Sequence, residues 1–208
     1  MWFRRKSTDQ KRAREIMGEN FFGIEESKRF FGVNPSRWQI WRISRIPFSE
    51  EMLDACKDTH ILSSVFPITI PDFYNKFGNT LFPYVSHYCK NNLNYIDHKG
   101  HLKKAVGETA WILLRKEPMF IGKSLMKIKT LSLLCKEDKV PTVLSIVYSM
   151  IGHFLKTGNR LFEKVSVLSS DVDSNCFHIT VDFIDGIRLG ACQYHKPNEN
   201  IGLATIRT

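Results

Sequence analysis

The spacing of apolar positions changes along the chain, and each change marks a different element. Between Pro141 and Lys156, residues Val143, Leu144, Ile146, Val147, Met150, Ile151, Phe154 and Leu155 recur at i, i+3, i+4 and i+7, which predicts a core helix. Ser145, Ser149, Gly152 and Lys156 fall on its opposite face, Pro141 opens it and Gly158-Asn159 close it. The period then drops to two. Phe177, Ile179, Val181 and Phe183 alternate with His178, Thr180 and Asp182, as in a half-buried strand. Asp185-Gly186 is a two-residue hairpin signal. With residues 165–168, 187–194 and 201–207 it predicts an antiparallel meander of about four strands.

Upstream the punctuation is helical. Gly23 and Gly32 bracket residues 24–31, in which acids lead and bases trail, as the helix dipole favours. Asn34-Pro35 reads as a cap and first helical residue, opening a helix to Ser44, with Val33 placed to staple onto Trp38. Ser49 caps residues 50–56. Residues 60–66 and 109–115 read as strands that end near Pro67 and Pro118. Residues 72–106 show no firm period and are expected to be loop and short helix, and residues 123–136 mix Lys with apolar residues at helical spacing. Residues 1–17 are too polar to bury much and read as a basic, flexible tail, although Thr8 is placed to cap a helix beginning at Asp9. The order predicts an α+β fold: a tail, then one domain over 18–208 with a helical part at 18–58, one long core helix and a C-terminal antiparallel β-meander at 160–208.

Composition narrows the function. The 208 residues are 43% hydrophobic and 25% charged, which excludes disordered, collagen-like and coiled-coil classes. No run of 18 apolar residues occurs, so no membrane-spanning helix is expected, and the charged start at Met1 lacks the apolar stretch of a secretory signal. Cys56, Cys89, Cys135, Cys176 and Cys192 are odd in number and contain no Cys-x-x-Cys pair. They read as reduced thiols, mostly small buried hydrophobes, which points to the cytoplasm.

The formal charge is +9, and it is unevenly placed. Residues 1–50 hold 11 basic and 6 acidic side chains and residues 101–140 hold 9 and 4, while the C-terminal third is neutral. Such a field attracts nucleic acid or another polyanion; the plain alternative is a surface made soluble by Lys and Arg. In the segment from Arg37 to Arg45, helical geometry puts Arg37, Trp41 and Arg45 on one stripe. Guanidinium groups bind phosphate bidentately and an exposed indole stacks on a base. The candidate phosphate contacts are therefore Arg4, Arg5, Lys6, Lys11, Arg12, Arg14, Arg37, Arg42 and Arg45, with Trp41 as the stacking residue. Lys123, Lys127 and Lys129 would extend the surface. The competing reading buries Trp38 and Trp41 as core anchors and leaves the arginines solvated.

Other chemistry is thinner. His87, Cys89, His98 and His101 offer four zinc ligands, but their spacing fits no zinc-finger pattern and they read as surface residues, with metal left open. Residues 171–175 begin like a calcium loop that fails at Cys176 and Asp182. Neither a Gly-x-Ser-x-Gly elbow, a phosphate-binding loop, a dinucleotide turn nor a His-Glu-x-x-His pair occurs. Asp58-Thr59-His60 is an acid–base pair without a located nucleophile. The leading expectation is a non-enzymatic, cofactor-free accessory protein with a nucleic-acid-contacting surface. A protein- or ligand-recognition module on the meander loops around Gln193–Asn200 comes second, and an enzyme third.

Several blocks resemble a group of uncharacterised bacterial hypothetical proteins: Phe22-Gly23-Ile24-Glu25-Glu26, Phe31-Gly32-Val33-Asn34-Pro35, Ile46-Pro47-Phe48-Ser49 and Cys56-Lys57-Asp58-Thr59-His60-Ile61-Leu62. Residues 151–158 and 170–174 belong to the same set. The resemblance spans most of the chain outside 1–17 and 72–106 and implies a shared fold, with no activity and no functional residue to transfer. The closing strand, residues 201–207, is similar to the last strand of lectin-like variable binding domains.

Overall fold

The structure is a computed structural model that describes residues 7–82, 108–130, 133–173, 175–193 and 196–207, without the side chains of 79, 125, 129 and 130. From Thr8 onward the expected tail is folded. Strand β1 (Thr8–Asp9) leads into helix α1 (Gln10–Met17), and Asp9, not Thr8, is its cap, accepting the Arg12 amide at 2.9 Å. Thr8 is buried and donates its hydroxyl to the Phe48 carbonyl at 2.7 Å. A helix this polar still docks because Ala13 and Met17, one turn apart, are both buried on one face.

Strand β2 (Phe21–Phe22) and helix α2 (Ile24–Glu26) follow, the helix running on as a π-helical turn at Ser27–Phe31. Helix α3 (Arg37–Arg42) is capped by Ser36, two residues later than expected. Ser36 Oγ accepts the Gln39 amide and Gln39 Oε1 accepts the Ser36 amide, at 3.3 and 2.8 Å. That reciprocal box satisfies two backbone donors, more than a cap at Asn34 with proline behind it can. Strand β3 (Arg45–Ile46) pairs antiparallel with β1, and helix α4 (Glu50–Cys56) starts at the expected Ser49 cap.

The remaining elements are β4 (His60–Val65), α5 (Ile70–Leu81), β5 (Ala110–Arg115), α6 (Leu125–Thr130), β6 (Asp138–Lys139), α7 (Val143–Thr157), β7 (Ser166–Val172), β8 (His178–Phe183), β9 (Ile187–Cys192), β10 (Ile201–Leu203) and β11 (Ile206–Arg207). They form a five-stranded sheet ordered β2-β4-β5-β11-β6 and a four-stranded sheet ordered β10-β7-β8-β9. The architecture is α+β.

Helix α7 packs against both sheets, which explains its burial. Of the face expected to be polar, Ser149 and Gly152 are buried and Ser145 and Lys156 half-buried, and the neighbouring His153 is buried too. A β-carbon on Gly152 would lie 3.0 Å from the Phe22 ring, so only glycine lets β2 approach this closely. Thr142, one residue after Pro141, caps the helix, and Gly158 ends it in the left-handed region at φ 79°. Inside the core, Tyr148 donates to Ser27 Oγ at 2.9 Å, and Ser27 Oγ lies 3.2 Å from Ser64 Oγ. Burial holds the Tyr148 hydroxyl well above its ordinary pKa.

The meander is antiparallel through β7, β8 and β9, turning at Asp185-Gly186 as the hairpin signal indicates. The fourth expected strand splits in two. β10 runs parallel to β7, and β11 crosses to the other sheet between β5 and β6. The cause is a bridge in which Met119 and Leu203 exchange both backbone bonds, at 3.0 and 2.7 Å, drawing the segment toward β5. Among the described residues no helix is long and apolar enough to cross a membrane.

Candidate nucleic-acid interface

Helix α3 is held at its ends and left bare along its length. At its start, Gln39 Nε2 donates to Thr109 Oγ1 at 3.2 Å. At its end, the buried Ile43 offers its carbonyl to two donors, Trp111 Nε1 at 2.9 Å and Gln10 Nε2 at 3.1 Å. Between these anchors none of its residues is buried. Trp38 is 59% exposed, Trp41 72% and Ile40 37%. The anchoring role expected of Trp38 and Trp41 falls instead to Trp111, which is buried on β5 and packs 5.6 Å from Phe21.

Charge around the helix is partly cancelled. Arg42 lies over the Trp38 ring at 5.3 Å and forms an ion pair with Glu108. Arg37 is exposed and has no carboxylate partner among the described residues. Arg45 is exposed on β3, where the strand register sets it opposite Asp9. The bond from the Arg12 amide, more than the Arg45 charge, holds the Asp9 carboxyl below its ordinary range. Lys11, exposed on the first turn of α1, sits next to the Gln10 that ties α1 to the end of α3.

Other expected contacts are neutralised or elsewhere. Arg12 bonds Glu50 at 2.9 Å and Glu15 at 3.2 Å, because α4 brings its acidic first turn against α1. Arg14 is engaged by Glu26 and lies 4.6 Å over the Phe21 ring. Burial alone would raise the Glu26 carboxyl, but the Arg14 bond and backbone amides outweigh it and the net shift is downward. Lys123, 5.7 Å over Phe120, and the exposed Lys127 follow the far end of β5 from Trp111, by the second hydrophobic cluster around Ile128 and Leu203. The side chain of Lys129 lies outside the described set, as do Arg4, Arg5 and Lys6. Among the described residues the structure thus gathers Arg37, Trp41, Arg42 and Arg45 on or beside α3, with Lys11 on the helix tied to its end, pairs Arg12 and Arg14 with carboxylates, and sets Lys123 and Lys127 elsewhere. Trp38, which lies off the Arg37–Trp41–Arg45 stripe, joins them; its signal in the sequence is the i, i+4 spacing to Arg42.

The remaining candidates carry less. His87, Cys89, His98 and His101 lie outside the described residues, and among those described no cluster of three or more metal-ligating side chains forms. Near Gln193 the crevice beside β9 and β10 holds about 10 Å³, room for at most about one water, and Tyr194 is outside the described residues. His60 is buried with its Nδ1 2.8 Å from Thr59 Oγ1, and burial with the nearby Arg115 lowers its pKa to about 4. No known family model, curated protein or solved structure matches the chain.

Proposed function

We propose that the protein is a non-enzymatic, cytoplasmic accessory protein that contacts single-stranded nucleic acid through α3. One observation carries the reading: two indoles stand in solvent on a helix with no buried residue, flanked by Arg37, Arg42 and Arg45. Exposing two tryptophans forgoes the burial that this side chain normally gains. Stacked bases recover that contact, and guanidinium groups on either side meet the phosphates between them. Single strands fit better than duplex, because bases must be unpaired to stack on the exposed indoles, and a six-residue helix fixed at both ends is a poor probe for a groove.

The test is retention on heparin combined with quenching of intrinsic fluorescence by a twelve-residue oligothymidylate. The reading expects quenching that saturates at low salt and weakens steeply as salt rises. Quenching that is absent, or that persists unchanged in high salt, overturns it.

A further inference from the structure

A second cavity, remote from α3, opens where α7 ends. It has a volume of about 470 Å³, within the range of small-molecule sites. His153 lines it, is 4% exposed, and has an Nδ1 that is buried without a hydrogen-bond partner among the described residues. Native interiors leave few such atoms unpaired, and this one lies just behind the lining, closed to a water molecule. Burial, reinforced by the Lys116 charge, lowers the His153 pKa to about 4 and leaves the ring neutral at pH 7, with one donor and one acceptor nitrogen.

Charges of both signs line the same space. Lys116 and Lys164 stand among Glu19, Glu117 and Glu163, yet none of these five forms an ion pair among the described residues. Elsewhere Arg12, Arg14, Lys28, Arg42 and Lys57 each hold a carboxylate. A third cation, Arg160, is fixed in place by a 2.7 Å bond to the Ile184 carbonyl and lies 5.4 Å over the Phe183 ring. The wall beside it is rigid: Phe162 sits at φ 55°, and its carbonyl accepts the Phe183 amide at 3.3 Å. A non-glycine residue keeps that conformation only when its surroundings enforce it. The lining is therefore balanced in charge, with Leu161 and Phe162 supplying apolar surface.

A polyanion gains nothing from three cations cancelled by three carboxylates. A small molecule that carries both signs gains from each. We propose that this cleft binds a small aliphatic zwitterion, an amino acid or dipeptide, whose carboxylate meets Lys116 or Lys164 and whose ammonium meets the glutamates, with His153 in the wall. The site is independent of the nucleic-acid reading.

The test is calorimetric titration of the full chain with L-leucine and leucylglycine, against isovalerate and isopentylamine as single-charge analogues. At least one zwitterion is expected to bind, about tenfold or more tighter than either analogue. Lys116→Gln and Glu117→Gln, half-buried and exposed respectively and both outside the core, should each weaken it by about tenfold. Absence of binding by both zwitterions, equal affinity for isovalerate, or affinity unchanged in Lys116→Gln and Glu117→Gln would each overturn the proposal.

Discussion

The indole Nε1 of Trp111 donates to the backbone carbonyl of Ile43 at 2.9 Å, across 68 residues of sequence. This bond ties the end of α3 to β5 and lets the rest of the helix stand clear of the core. One buried tryptophan thus holds in place the helix that carries two exposed ones. Trp111→Phe keeps most of the ring packing against Phe21 and deletes the donor. It should cost about 1 kcal/mol in urea unfolding. It should also speed tryptic cleavage after Arg42 and Arg45, as the helix end loosens with Gln10 the remaining side-chain donor to the Ile43 carbonyl.

Trp38→Ala and Trp41→Ala should separate binding from stability. Both side chains are more than half exposed, so unfolding free energy should stay within about 0.5 kcal/mol of the parent. Loss of a stacked base is worth about 1–3 kcal/mol, so each variant should weaken oligothymidylate binding by roughly 5- to 150-fold in a fluorescence anisotropy titration. An unfolding midpoint that drops sharply would mean the indoles support the fold.

Acid should destabilise the protein before its carboxylates titrate. His60 and His153 both have folded pKa values near 4, set by burial and then by Arg115 for His60 and Lys116 for His153, against about 6.5 unfolded. Between those values the unfolded chain holds the extra protons, so stability is complete above about pH 6.5 and is lost as pH falls toward 4. Each histidine should contribute about 3 kcal/mol to that loss. His60→Asn should flatten the slope of unfolding free energy between pH 6.5 and 4 by roughly half. A slope unchanged by the substitution would show that His60 titrates normally in the folded state.

Gly152→Ala tests the packing of α7 on β2. The added methyl would come within 3.0 Å of the Phe22 ring, which is itself packed against Phe31 and Tyr148. Overpacking of this kind costs about 1–3 kcal/mol, where an exposed helical glycine would gain from the same change. Thermal unfolding distinguishes the two signs.

Features that depend on near neighbours are legible in the sequence. The period of α7, the Ser49 cap and the Asp185-Gly186 turn are set by residues a few positions away, and the structure places the corresponding elements within a residue or two. What the sequence hides is the meeting of distant segments. Ser149 and Gly152 look like a solvent face until the fold buries them, with the Phe22 ring of β2 closing over Gly152. Residues 201–207 look like one strand until Met119 bonds Leu203. Arg12 and Arg14 look like phosphate ligands until Glu50 and Glu26 arrive from other helices. The exposure of Trp38 and Trp41 runs against the average behaviour of tryptophan, because Trp111 takes the anchoring role from another strand.

The salt dependence of oligothymidylate binding, compared between the parent chain and an Arg37→Gln/Arg45→Gln variant, tests the role of α3 most directly. Binding should fall linearly on a logarithmic salt scale. The variant should reduce the slope by about 1.4, because about two phosphates of the single strand are no longer neutralised. Identical slopes, or no binding by the parent chain at low salt, would contradict a nucleic-acid role for this helix.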